Sequence, residues 1–163
     1  MRPILNIADI ALTDHSHGDA FQASSAMLGP LIGMRQLGCR LTVVPPGRKA
    51  WPYHNHHANE EMFVILEGAG VLRLGGAEHA VNAGDVIACP AGGQETAHQL
   101  INTGAGDLRY LAVSTMIAPE VCEYPDSGKF TVMTGSGPGG DGKARRLKYV
   151  GRAENSLEYW DGE

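Results

Sequence analysis

The chain lacks the features by which several functional classes announce themselves. Positive charge is scarce: thirteen Lys and Arg stand against eighteen Asp and Glu, a net charge of −5. A nucleic-acid binder presents a basic face to phosphates, so that class is disfavoured, and no helix-turn-helix pattern offsets the deficit. Long hydrophobic runs are missing as well. No stretch approaches the ~20 consecutive apolar residues of a membrane-spanning helix. Asn6, Asp9 and Asp14 break the N-terminal segment before an apolar run of signal-peptide length can form. Cysteine is sparse: Cys39, Cys89 and Cys122 are odd in number, far apart and free of any CxxC pair. That usage fits reduced thiols rather than a disulfide framework. Internal repeats are absent too. The expectation is a cytoplasmic protein that binds neither nucleic acid nor membrane.

What is present points to a β-rich domain. At 163 residues, with 43% hydrophobic and 19% charged residues, the chain has the length and composition to bury one real core. Its 22 glycines are about twice the number average usage would give, and with nine prolines they imply many tight turns. Strands are expected at Arg40–Val44, Glu61–Glu67, Val71–Leu74, Glu78–Val81, Asp85–Cys89, His98–Asn102, Leu108–Thr115 and Phe130–Thr134, with weaker candidates at Phe21–Met27 and Leu147–Val150. Between them lie Pro45-Pro46-Gly47, Gly75-Gly76, Asn82-Ala83-Gly84 and Pro90-Ala91-Gly92-Gly93. Turns at such short spacing, without long helical periods, predict an antiparallel sandwich or barrel. Three stretches follow: an N-terminal arm over 1–34, a β-barrel over 35–134, and a Gly-rich loop with a C-terminal tail over 135–163. Asp14-His15-Ser16-His17 is expected to be a solvated loop. Gly137–Ala144 nearly spells a phosphate-binding loop, but Ala144 replaces the required Ser or Thr and too few residues follow. The basic run Lys143, Arg145, Arg146 and Lys148 is expected to be a solvated face.

One strand bears on assembly. In Glu61–Glu67, Phe63 and Ile65 point one way while Met62, Val64 and Leu66 point the other, so both faces are apolar. Such a strand is covered on both faces. One side is the interior; the N-terminal arm or a second subunit covers the other, and a homodimer is expected.

Chemistry concentrates in residues 47–68. On a strand, i and i+2 share a face, so His54 and His56 project together and Asn55 points away. A short turn brings a glutamate, Glu60 or Glu61, back beside them. Two imidazoles and a carboxylate so arranged suit a borderline divalent ion. His57 falls on the opposite parity and is expected outside the ligand set.

The string Gly47…His54-Asn-His56…Glu61…Gly68 resembles the first motif of the cupin family, G-x5-HxH-x3–4-E-x6-G. Gly84…Pro90-Ala-Gly92…His98…Asn102 resembles its second, G-x5-PxG-x2-H-x3-N. The resemblance implies an all-β fold, the cupin jelly-roll β-barrel or double-stranded β-helix, with an irregular N-terminal arm and a C-terminal tail. It also implies one divalent metal ion (Mn, Fe, Ni, Co or Zn) held by His54, His56, Glu61 and His98. Glu61 rather than Glu60 keeps the six-residue count to Gly68. Five residues separate Gly92 from His98 where the motif has two, so Gln94-Glu95-Thr96 reads as an insertion at the barrel mouth. The His98-x3-Asn102 spacing is intact.

Three imidazoles and one carboxylate on an octahedral ion leave two positions open for a small oxygenated ligand. The favoured reading is a metal-dependent isomerase or lyase acting on a sugar-phosphate-like substrate or a hydroxy or keto acid. Small bacterial cupins of this kind resemble sugar-phosphate isomerases. The alternatives are an Fe-type dioxygenase and a non-catalytic protein that binds a metal or small ligand. An isomerase needs a proton carrier near the metal, for which Glu95, Tyr110 and Tyr53 are candidates. Cys89, beside the second motif, is expected to be a buried structural thiol.

Overall fold

The computed structural model describes residues 3–135 and 147–163. In chain order its strands are β1 (Thr13–His17), β2 (Phe21–Met27), β3 (Leu37–Val44), β4 (Asn55–His56), β5 (Glu61–Glu67), β6 (Ala69–Leu74), β7 (Ala77–Asn82), β8 (Val86–Cys89), β9 (His98–Ile101), β10 (Leu108–Thr115), β11 (Glu120–Tyr124), β12 (Lys129–Thr134) and β13 (Leu147–Gly151). Helical structure among the described residues is confined to short 3-10 turns. Among the described residues no helix is long and apolar enough to cross a membrane. The near-phosphate loop and the basic residues Lys143, Arg145 and Arg146 lie outside the described residues.

Six strands make one antiparallel sheet, in the order β1-β2-β3-β10-β5-β8. The opposite layer joins β13-β12-β11-β4 to β7-β6-β9. The seam is a bridge between His54 and His98: each backbone N–H donates to the other's carbonyl, at 3.2 and 2.8 Å. The seam therefore sets two candidate ligands side by side by backbone pairing alone. The two layers close over one core, and the fold is the cupin jelly roll, all-β with an N-terminal arm and a C-terminal tail.

Period-2 alternation builds that core. Phe63 and Ile65 of β5, Leu108 and Tyr110 of β10 and Val44 of β3 turn inward to meet Leu72, Val81 and Leu100 of the other layer. Val44, Ile65 and Leu108 are fully buried, each contributing about 1.5–3 kcal/mol of transfer free energy. Asn102, at the end of the second motif, is a buried brace rather than a ligand. Its amide donates to the Val44 carbonyl at 2.7 Å and the Gly106 carbonyl at 2.8 Å, and its Oδ1 accepts from Gly104 N–H at 2.9 Å. It thus fixes the turn between β9 and β10 against β3.

Two segments differ from expectation. Asp14–His17, expected as a loop, lies in β1, pairing with β2 from Thr13↔Ser25 to His17↔Phe21. A polar edge strand has no apolar face to mark it; its pairing and the stacking of His15 on Trp51, ring centroids 4.6 Å apart, hold it. β11 was not anticipated, because Glu-Val-Cys-Glu-Tyr carries a charge, Glu120, at a position that turns out to be interior. The N-terminal arm extends the β3 side of the large sheet, three strands from β5. It therefore leaves the outer face of β5 open, with Met62 40% exposed beside Val86 at 65%.

Candidate metal centre

His54, His56, Glu61 and His98 converge where the two layers meet. One donor atom from each lies within 4.8 Å of every other. β4 carries His56, the bridge to β9 places His54 and His98, and β5 opens with Glu61 pointing inward. Glu60 is exposed and outside the cluster. His57 points away toward Glu123, Nε2 to Oε2 3.1 Å. Asn55, between the two motif histidines, is turned from the cavity and donates its amide to the Gly92 carbonyl at 2.9 Å.

The histidines are oriented from behind. His54 Nδ1 donates to the Pro52 carbonyl at 2.8 Å and His98 Nδ1 to the Thr96 carbonyl at 3.2 Å. Each bond engages Nδ1 with the backbone and turns Nε2 toward the cluster, the arrangement that orients histidine for a metal. His98 Nε2 lies 3.0 Å from Glu61 Oε2, and His56 Nε2 lies 3.6 Å from the same oxygen. On its other side, His56 Nδ1 is 3.2 Å from Cys122 Sγ and 3.5 Å from Glu120 Oε2.

Electrostatics follow from burial and crowding. Burial, then the neighbouring His98, holds the pKa of His54 down to about 4. Burial likewise disfavours charge on His56, but Cys122, Glu120 and Glu61 around it outweigh that and push its pKa up to about 12. Burial would raise Glu61, yet the neighbouring His56 and His98 imidazoles hold it well below the usual carboxylate range. The cluster is thus a buried anionic carboxylate among imidazoles.

These residues fit a divalent cation. His56 Nε2 is buried without a hydrogen-bond partner, an orphaned donor-acceptor atom of the kind a ligand satisfies. Three nitrogens and one carboxylate oxygen are a donor set suited to borderline first-row metals.

Beside the cluster opens a cavity of about 180 Å³. Trp51, Phe63, Met27 and Met133 make its apolar walls, and Arg40, Ser114, Tyr124 and Cys122 add polar groups. Tyr124 stacks over His54, centroids 6.0 Å apart at 22°.

The proton-carrier candidates lie elsewhere. Glu95 is exposed in the 3-10 turn Gln94–Thr96, and its Oε1 accepts from Gly93 N–H at 2.9 Å. The insertion caps its own turn, and its backbone N–H groups lower the carboxyl's pKa. Tyr110 is buried in the core against Phe63, edge to face at 5.6 Å, and burial pushes its phenol up. The Tyr53 hydroxyl accepts from Gly76 N–H at 3.2 Å, while its ring lies under the Arg73 guanidinium at 3.7 Å. None of the three lines the cavity. Sequence reasoning missed Tyr124, Arg40 and Glu120, which sit on inward positions that only strand pairing defines. All three cysteines are free; burial, with the Glu61 charge, pushes the Cys89 thiol up to about 12.

Comparison with known proteins agrees with this architecture. Residues 40–114 match the family model described as a cupin domain. The solved structure of a candidate sugar phosphate isomerase from Acidithiobacillus ferrooxidans superposes with a TM-score of 0.78 at 22% identity, covering 95% of each chain. That of a cupin-superfamily sugar phosphate isomerase from Silicibacter pomeroyi gives 0.75 at 27% identity, covering 98% of each. The oxalate-binding protein of Thermotoga maritima is 35% identical over 74 residues, 45% of this chain and 58% of that protein. The chain spans 56–64% of the length of the curated relatives it matches. Residues 40–114 are thus a cupin domain.

Proposed function

We propose that the protein is a metal-dependent isomerase or lyase acting on a small oxygenated metabolite. One observation carries the reading: His54, His56, Glu61 and His98 meet within 4.8 Å beside an apolar cavity. A divalent ion held by those four would act there as a Lewis acid on a carbonyl or hydroxyl oxygen. The chain's own residues supply the rest. Phe63, Met133 and Trp51 exclude water, which strengthens every charge interaction inside. The Tyr124 and Ser114 hydroxyls face the cavity as proton-handling groups. Likeness to structures described as sugar phosphate isomerases supports an isomerase, and the three free thiols fit a reducing, cytoplasmic setting.

The test begins with metal analysis. Purified protein is expected to carry about one equivalent of a divalent transition metal. His56→Ala should retain less than a tenth of that; a variant with full stoichiometry would contradict the assignment. Aldose–ketose interconversion should vanish on chelation and return with added metal. Activity indifferent to chelation would exclude the mechanism.

A homodimer belongs to the same proposal. Met62 and Val64 of β5 lie in register with Val113 of β10 and Val86 of β8, an outward apolar patch. A second copy of the chain covers it, so light scattering at micromolar concentration should give twice the chain mass. A monomeric mass would remove this element.

A further inference from the structure

We infer that Arg40 is an anion seat inside the cavity, so that the ligand is a small oxyanion, a carboxylate or phosphate of about ten or fewer non-hydrogen atoms. The inference deepens the function proposed above and rests on it for the ligand's other end.

Register places the residue. Arg40 of β3 pairs with Ala112 of β10, which pairs with Phe63 of β5. All three residues of that row, Arg40, Ala112 and Phe63, line the cavity, so this row faces the interior. Glu61 lies one row further along β5. With strands about 4.8 Å apart and about 6.7 Å between rows, the two Cα atoms are roughly 12 Å apart. A long arginine side chain spans about half of that.

The guanidinium is placed but not neutralised. Its Nε donates to Met27 Sδ at 3.1 Å, and its carbon lies 4.7 Å from the Trp51 ring. Trp51 is itself stacked by His15 of β1. Among the described residues Arg40 forms no ion pair; Asp9 lines the groove adjoining it without pairing. Arg73, by contrast, is paired with Asp126 at 2.8 Å. A largely desolvated cation without a carboxylate is costly unless something anionic meets it. Its two terminal nitrogens present the planar fork that matches carboxylate and phosphate oxygens.

Size narrows the class. An apolar cavity of roughly 150 Å³ holds one benzene molecule, six heavy atoms, and this one measures about 180 Å³. The ligand therefore bridges from Arg40 to the histidine–glutamate cluster, its anionic end on the guanidinium and its carbonyl or hydroxyl oxygens toward the cluster.

The experiment uses chelated, metal-free protein, so that its outcome is independent of the metal reading. Oxalate and inorganic phosphate are titrated by calorimetry, with oxamide as the uncharged isostere of oxalate. Wild type should bind at least one of the two anions and bind oxamide at least tenfold more weakly. Arg40→Met should weaken anion binding tenfold or more, and Arg40→Lys, which keeps charge without the fork, by three- to tenfold. Oxalate binding alone identifies a carboxylate ligand, and phosphate binding alone a phosphate ester. Near-UV circular dichroism and melting report folding; should Arg40→Met fail to fold, Arg40→Lys and the oxamide comparison carry the test. Metal stoichiometry of folded Arg40→Met should equal that of wild type. The inference is overturned if neither anion binds wild type, if oxamide binds as well as oxalate, or if Arg40→Met binds within twofold of wild type. A wild type that binds anion but never metal would sink the proposed function and leave the anion seat standing.

Discussion

Glu120→Ala is expected to destabilise the metal-free protein by about 3–5 kcal/mol, a fall in Tm of roughly 10 °C for a chain of this size. Glu120 is completely buried. Its Oε1 accepts from the backbone N–H groups of His57 and Ala58 at 3.1 Å and Val121 at 2.9 Å. Its Oε2 accepts from the Asn59 amide and faces His56 Nδ1. Removing the side chain spares some donors: His57 N–H keeps the Val121 carbonyl and Asn59 keeps the Ile117 carbonyl. Ala58 N–H is left without an acceptor, His56 loses an anion that favours its charged form, and a void remains. Glu120→Gln keeps an acceptor for the backbone groups but turns an NH2 toward donors, so it should lose less stability. Because the carboxylate orients His56 from behind, Glu120→Gln should also weaken divalent-metal binding by about 10–100-fold. An alanine variant melting within 3 °C of wild type would show that the carboxylate braces nothing.

Gly68→Ala should cost about 3 kcal/mol, and a paired substitution separates its two causes. Gly68 ends β5 with φ +83°, where an L side chain costs roughly 1–2 kcal/mol. A Cβ there would also run into the Asp107 carbonyl oxygen, backbone that cannot swing aside. Gly84 has φ +95° but open space around its Cβ position, so Gly84→Ala should cost only the conformational part, about 1–2 kcal/mol. Urea unfolding of both variants measures the difference. Equal losses would mean that the close approach of β5 to the β9–β10 turn is not what demands glycine at the first motif's end.

Much of the barrel was legible in the chain. β5 and β10 are rich in strand-forming residues, and β8 and β9 are bounded by strong turn residues, so propensity and punctuation located them to within a residue or two. His54, His56 and Glu61 were legible because strand parity and a single turn bring them together locally. His98 was legible only through its resemblance to the second motif, since the bridge joining it to His54 spans 44 positions (98 − 54). β1 and β11 escaped because their side chains do not alternate in polarity. Glu95 illustrates the same limit: a carboxylate at the barrel mouth suggested chemistry, but the nearest partners of an exposed acid in a tight turn are its own backbone N–H groups.

The sequence by itself determined an all-β chain, the order of its central strands and the local half of the ligand cluster, because period-2 burial and turn residues act over a few positions. Tertiary structure alone decided which polar residues face inward. Arg40, Glu120 and Tyr124 look like ordinary surface residues in the chain. Pairing across layers desolvates the first two and sets Tyr124 over His54, and the register of distant strands, which no short window encodes, chooses their neighbours.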